Sequence, residues 1–410
     1  MRLLNRESRL FFLVNLSFSL GMGLYGFVMP AYARQLGATP AQFGALISVS
    51  MAAGTLAVIP GGYWADRYDR QLLMRLGWGM CLPVPLIFAA APDWLWLIPG
   101  YALFFLSFFC NPAINAYVSS IADPKRLGSV WGVINSAFPL GFVVGPAVGA
   151  AIIAAAGMRV VFLCTFACYL VSFGLLFLLP RASVRGASQQ DEARVAEATR
   201  HPGGVSGVSR HERLRRSLVP VAVMFAFFYL LAGIGQNYIA MYLQDTRGLE
   251  LSGIGVFGSA AALGGFIAAP LIGRLRDGAG PRVAMPVALT LVAAAYAGLL
   301  YIAAPAGLFA VLALRGGENG LYSLGQAEVS ARSSPHELGR RFAAFNVLTG
   351  IGSTIGPYAG GVLYVQDVRW PFLFVIVGCL LLAVTSRLLP AAANESAMPE
   401  VELSPGEVPV

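Results

Sequence analysis

Charge is scarce in this chain. Of its 410 residues, 12% are Asp, Glu, Lys or Arg, about half the share of a soluble domain. A soluble protein of this length needs roughly two or three domains, each with a charged surface, so that class is excluded. Disorder and coiled coil go with it, because 57% of the residues are hydrophobic. Histidine is nearly absent. His201, His211 and His336 lie outside the apolar runs, which speaks against a buried metal site built on His. The five cysteines (Cys81, Cys110, Cys164, Cys168 and Cys379) lie inside apolar runs at no metal-ligand spacing and read as packing residues. No Walker loop is present, so ATP hydrolysis is not expected. Neither a metal, nor a cofactor, nor an enzymatic reaction is expected. Lys125 is the one lysine. Arg use of this kind, with the Ala and Gly content, fits a GC-rich bacterial genome.

What the chain has in quantity is long apolar runs. A bilayer core takes about 20 apolar residues per helix. Such segments fall near 10–32, 41–64, 73–91, 94–121, 130–155, 160–180, 218–243, 253–272, 283–304, 307–330, 342–365 and 370–389. They predict an all-α integral membrane protein with twelve transmembrane helices. The first run follows Arg2, Arg6 and Arg9 and is too long for a cleaved signal peptide, so it reads as a retained helix. Residues 181–217 are polar and Arg-rich and read as a flexible cytoplasmic linker. They separate a six-helix unit at 1–180 from another at 218–390, and residues 391–410 read as a disordered cytoplasmic tail. Most Trp residues sit near predicted helix ends, as interfacial anchors do.

Orientation follows from the basic residues. With the N-terminus inside, 23 of the 28 Lys and Arg face the cytoplasm. Only Arg34, Arg159, Arg247 and Arg369 fall in outer loops, and Arg315 is left inside the membrane. The formal net charge of +8 then lies on one face, as an orientation signal rather than a nucleic-acid footprint. The two units also repeat. Gly62 and Asp66 match Gly273 and Asp277 at an offset of 211 residues. Gly141, Gly145, Pro146 and Gly149 match Gly352, Gly356, Pro357 and Gly360 at the same offset, as Asn135 matches Asn346. The chain is an internal duplication of a six-helix unit.

These motifs carry a resemblance. The chain resembles the major facilitator superfamily over essentially its full length. The superfamily's loop 2–3 signature, Gly-x-x-x-Asp-Arg-x-Gly-Arg-Arg/Lys, is met by Gly62, Asp66, Arg67 and Arg70, with departures at Asp69 and Gln71. Its helix 5 signature, most typical of exporters, is met by Gly132, Gly141, Gly145, Pro146 and Gly149, with Ala150 for the last Gly. The helix 4 Arg usual in its proton-driven drug exporters is missing. The resemblance implies two pseudo-symmetric six-helix bundles that rock about a midplane site, and secondary transport without ATP. It also implies that helices 1, 4, 7 and 10 line the cavity. Asp66 would meet the inner end of helix 11, where the helix dipole favours a carboxylate. Arg67 and Arg70 would pair with Asp123, and Asp277 with its neighbouring arginines is the weaker mirror copy. Such contacts form a conformational latch present only when the halves are closed inside. An ordinary charged loop is the plainer alternative. For the Gly-Pro stretches, close helix packing is the plainer reading and flexing or leak-sealing the functional addition.

The ionisable residues within the bilayer are Arg315, Glu318 and Glu328, all on helix 10. A charge there is costly by at least a few kcal/mol, so each marks a functional candidate. Arg315 and Glu318, three apart, share a helix face. Burial favours the neutral acid while the Arg favours the carboxylate, a competition suited to a proton-coupling or substrate-charge site. A permanent ion pair that only orients helix 10 is the alternative. Glu328, close to Arg332 and the helix 8–9 loop, reads as part of a cytoplasmic charge network. A substrate cavity is predicted from Asn15, Tyr25, Asn111, Asn115, Asn135, Tyr229, Gln236, Asn237, Asn319, Tyr322, Gln326 and Asn346. Each amide donates and accepts hydrogen bonds, and interhelical bonding is the competing use. Phe104, Phe105, Phe108 and Phe109 would make the walls partly aromatic.

The expected function is proton-coupled efflux of small, partly apolar compounds by alternating access, from a monomer in the bacterial inner membrane with both termini cytoplasmic. The proton gradient drives it, and its partners are a small-molecule substrate and the bilayer. Uptake of a sugar or organic acid by proton symport is the alternative, with Arg315 holding a carboxylate. A non-transporting sensor and a carrier of lipid-linked substrates are more distant readings.

Overall fold

A computed structural model describes residues 6–121, 127–180, 208–333 and 338–388. The predicted tail and most of the linker lie outside the described residues. Among these residues every element is helical, as lipid requires of a chain that cannot leave backbone groups unpaired. Eight helices are long and apolar enough to cross a membrane, or nine if a bent pair counts as one span. That pair is helix 1, where Arg6–Gly26 bends by 45° into Met29–Gln35. The other three predicted spans fall short singly. Helix 10 is broken into Pro305–Leu314 and Gly317–Ala331, helix 11 (Leu338–Gln366) is rich in Gly, and helix 12 (Trp370–Ser386) has 17 residues.

Helix 2 (Pro40–Arg67) starts on a capping box in which Thr39 and Gln42 satisfy each other's backbone N–H. Helix 3 begins at Arg70 and is capped by Asp69, whose Oδ1 accepts from the Gln71 and Leu72 amides at 2.7 and 3.3 Å. Gln71 is buried and donates to the carbonyls of Leu179 (2.9 Å) and Pro180. Both departures from the loop 2–3 signature thus have work of their own: one caps helix 3, the other ties down the end of helix 6 (Met158–Leu176). Helix 4 runs from Trp94 to Ile121 and tightens to a 3-10 turn at Ser107–Cys110. Helix 5 is Leu127–Ala156. Helix 7 begins at Val208, within the predicted linker, and continues after a turn at Asn237–Tyr238 as Ile239–Arg247. Helices 8 (Leu251–Ala279) and 9 (Pro281–Tyr301) join through Gly280 at φ 81°, a left-handed turn that suits glycine.

The halves are built alike. Helix 1 lies against helix 5, and helix 7 against helix 11, each through the Gly-Pro stretch. A Cβ on Gly145 would stand 2.7 Å from the Cα of Gly23, and one on Gly356 2.6 Å from the Leu230 carbonyl oxygen. The repeated glycines therefore let helix backbones touch. Outside, residues such as Leu56, Ile59, Phe227, Ile267 and Leu381 stay more than half exposed, the apolar girdle that hydrocarbon covers.

These contacts yield a test. Gly145→Leu should destabilise the fold by about 1–3 kcal/mol through overpacking, read as a lower thermal unfolding midpoint in detergent. Gly174→Leu, where a Cβ meets nothing within 4 Å, should leave the midpoint nearly unchanged. Equal effects would contradict the packing account.

Candidate functional site

Helix 10 breaks where it crosses helix 8. Gly316 lies on the backbone of Gly264 and Gly265, and Gly264 on the Ala313 carbonyl, with no room for a Cβ at either. At the break the N–H of Gly316 donates to Ala313 O at 3.0 Å, and that of Glu318 to Arg315 O at 2.9 Å. These are i to i−3 bonds that tighten the turn. Arg315 ends the outer piece and Glu318 stands in the first turn of the inner piece, where the dipole favours a carboxylate.

The two side chains face different ways. Arg315 lines a cavity of about 650 Å³ between the halves. Glu318 is 4% exposed and lies behind the wall. Its Oε1 accepts from the Tyr296 hydroxyl at 2.9 Å, and Oε2 is 3.6 Å from Arg315 Nε. The remaining wall comes from Phe27 on helix 1, Phe138 and Phe142 on helix 5, Gln236 and Asn237 on helix 7, Phe266 on helix 8, and Asn319, Tyr322 and Ser323 on helix 10. Among the described residues the first half contributes only apolar ones, Phe27, Phe138 and Phe142 among them, and the second half adds the amides and the guanidinium beside Phe266 and Tyr322.

The twelve predicted cavity residues divide. Gln236, Asn237, Asn319 and Tyr322 line this cavity. Tyr229 stands behind it, edge-on to Tyr322 with centroids 4.7 Å apart. Asn15, Asn111 and Asn115 line a second cavity of about 300 Å³ inside the first half, with Trp78 and Ser107; Phe138 borders both. Tyr25 is buried against Phe88 and Phe162 and lines neither. Gln326 and Asn346 also line neither, and the side chain of Asn135 lies outside the described residues. Of the predicted aromatic wall, Phe108 borders the smaller cavity, while Phe104 is buried in the core.

Among the described residues the halves meet at one end, which is the outer face in the predicted orientation. The contacts obey the repeat. Ala147 N donates to Ser259 Oγ at 2.8 Å, and Tyr358 N to Ser48 Oγ at 3.0 Å. The offset of 211 relates Ala147 to Tyr358 and Ser48 to Ser259, so these bonds are pseudo-symmetry mates. Arg34 and Asp245 are themselves 211 apart and pair with each other at 3.2 Å. Asp245 also accepts from the Tyr364 hydroxyl at 3.0 Å. Tyr238 donates to Pro357 O of its own half, and its hydroxyl is 3.4 Å from Pro40 O of the other. Away from these contacts, positions 138–140 of helix 5 and 346–348 of helix 11 each expose three successive residues. Of these, Phe138 and Pro139 line the cavity.

The latch residues are only partly visible. The side chain of Asp66 and all of Asp123 lie outside the described residues. Arg67 stacks 4.0 Å over the ring of Tyr63, and Arg70 donates to Ala116 O at 3.3 Å. A Cβ on Gly62 or Gly273 would meet nothing within 4 Å. In the second half Glu328 is fully buried between Arg276 Nε (2.9 Å) and Arg332 Nη1, and Asp277 lies 3.5 Å from Arg276. Burial pushes the Arg332 guanidinium down to about 10, with Arg276 adding to the effect, so it stays charged at neutral pH. Tyr296 gives no signal in the sequence, since one Tyr in an apolar helix is unremarkable. The pairing of Arg34 with Asp245 is legible there only through the repeat offset applied to charges.

A helical membrane bundle of two equivalent halves, closed at one end around a central polar cavity, is the frame of a secondary transporter. The Major Facilitator Superfamily pattern matches residues 11–317 and 308–404, and the chain belongs to that superfamily, a family of transporters and not an enzyme class. The multidrug resistance protein MdtG of Salmonella typhimurium is 24% identical over 363 residues, 86% of each chain. An uncharacterized MFS-type transporter of Methanocaldococcus jannaschii is 33% identical over 131 residues, 32% of this chain and 34% of the other. Among solved structures, the nucleoside transporter NupG superposes with a TM-score of 0.74 at 14% identity, over 94% of this chain and 100% of the other. A bacterial homolog of the human lysosomal transporter Spinster, inward-facing and unoccupied, gives 0.71 at 15% identity, over 93% and 96%.

The outer contacts make a prediction. Asp245→Asn removes the charge opposite Arg34, an interaction worth up to about 1 kcal/mol at this exposure. A cysteine placed in the cavity by Ser323→Cys should then react roughly two- to fivefold faster with an impermeant maleimide applied outside. An unchanged rate would show that the pair does not hold the outer side shut.

Proposed function

We propose that this transporter exports small, partly apolar compounds in exchange for protons, from the bacterial inner membrane with both termini in the cytoplasm. The observation that carries the reading is that Arg315 belongs to two surroundings, the cavity on one side and Glu318 on the other. With Glu318 ionised, the pair is neutral overall, and a cavity walled by Phe27, Phe138, Phe142 and Phe266 suits a neutral or cationic apolar compound. A proton on Glu318 leaves the guanidinium uncompensated beside that cavity. The same compound then binds less well, so proton and substrate exclude each other, which is antiport. Tyr296 keeps the carboxylate hydrogen-bonded while it changes partner. Likeness to MdtG, named for multidrug resistance, supports export.

A second reading rests on the exposure of Arg315 to the cavity. An anionic substrate would be drawn in by the charge that a proton uncovers. Proton and anion would then travel together, as in uptake of an organic acid. The sign of coupling follows from the charge of the substrate.

Everted membrane vesicles test this. Adding an exported compound to energised vesicles should collapse the interior acid gradient, and Glu318→Gln should reduce that response roughly tenfold or more. An undiminished response in Glu318→Gln would remove Glu318 from the coupling. Acidification on substrate addition would favour symport.

A further inference from the structure

Transport past Arg315 leaves the smaller cavity of the first half unused. It measures about 300 Å³ and lies among helices 1, 3, 4 and 5, at the lower end of the roughly 300–1,000 Å³ of small-molecule pockets. The rings of Phe11, Phe18, Trp78, Phe108 and Phe138 line it. Several of its polar groups are spent within the fold. Ser107 Oγ donates to Phe104 O at 2.6 Å and accepts from Cys81 Sγ at 3.3 Å. Trp78 Nε1 donates to Ser172 Oγ, and Asn15 Nδ2 to Phe11 O, each at 2.9 Å. Asn111 and Asn115 differ. Both are exposed, both line the cavity, and neither side chain takes part in a hydrogen bond among the described residues. Four apart on helix 4, they share one face, with Cβ atoms about 5–6 Å apart.

We propose that this cavity is a second binding site, which takes a flat aromatic ring bearing a carboxamide or lactam, with Asn111 and Asn115 as the anchoring amides. An asparagine offers an acceptor and a donor side by side. A carboxamide or lactam presents the complementary pair. Its N–H donates to the asparagine Oδ1 while Nδ2 donates to its carbonyl, the two-bond fit that Asn also makes to the edge of a base. An ester of the same shape has no N–H and leaves Oδ1 unpaired. Phe18 and Trp78, whose rings pack at 5.6 Å, and Phe108 offer faces and edges to the aromatic part. Phe138 borders both cavities and partitions this site from the guanidinium of Arg315. The site asks nothing of Glu318, so it goes beyond the proton exchange proposed above.

Photoaffinity labelling of the purified full-length protein tests the site, with para-azidobenzamide as the probe and labelled peptides read by mass spectrometry. The label should fall in the first half, on the segments around Phe108, Ile114 and Phe138. Benzamide should suppress it at about fivefold lower concentration than methyl benzoate does. The double variant Asn111→Leu/Asn115→Leu, close to wild type in side-chain size, should lose that preference while keeping its unfolding midpoint. Ile114→Trp, which keeps both amides and fills the space, should lose the label. Equal suppression by amide and ester in the wild type, a comparison that needs no variant to fold, would overturn the site. So would a preference that survives in the double variant, a label that survives in Ile114→Trp, or labelling that misses the first half. The transport reading stands or falls separately, since none of these arms measures flux.

Discussion

The two halves touch at backbone level at one end of the bundle, and the rest of the architecture depends on that contact. Pro40 and Gly44 on helix 2 approach Pro357 and Gly361 on helix 11, while Pro146 and Ala150 on helix 5 approach Gly255 and Gly258 on helix 8. Small residues permit the approach, as they do where membrane helices associate without a hydrophobic force between them. The paired bonds from Ala147 to Ser259 and from Tyr358 to Ser48 fix the register on both sides of the pseudo-axis. Arg34 and Asp245, equivalent by the repeat yet opposite in charge, meet across it. The cavity with Arg315 on its wall lies between the halves that these contacts join.

The duplication is strict in backbone and broken in chemistry. Helix 4 tightens at Ser107–Cys110 and helix 10 breaks at Arg315–Gly316, nearly the same place in each half. Phe104 and Ser107 hold the positions that Arg315 and Glu318 hold in the second half, and Pro85 the position of Tyr296. Ser107 spends its hydroxyl on the Phe104 carbonyl at 2.6 Å. One half therefore contributes rings and a closed local bond. The other contributes a charge pair, Arg315 with the buried Glu318, whose balance a proton on Glu318 would change. That asymmetry localises the proposed proton site to the second half.

The helical class, the segments and the repeat were legible in the sequence because apolar runs and glycine spacing report directly on bilayer crossing and helix contact. Arg315, Glu318 and Glu328 stood out because a charge in hydrocarbon is rare and costly. The facing of the polar residues was not legible. A transmembrane helix is apolar all round, so periodicity does not show which side meets the cavity. Asn15, Asn111 and Asn115 therefore look equivalent to Asn319 in the sequence, although they border a separate space. The break in helix 10 was equally hidden, since it arises from Gly264 and Gly265 on another helix. Asp69 and Gln71 were departures from a signature until the cap and the tether gave them roles.

Alternating access requires the halves to exchange contacts at the outer end for contacts at the inner end. Pulsed electron-spin distance measurement tests it most directly, with one label pair across the outer ends of helices 2 and 11 and another across the inner ends of helices 5 and 8. As pH is lowered or substrate is added, the outer distance should lengthen while the inner one shortens in the same population. Two distances that stay fixed, or lengthen together, would contradict it.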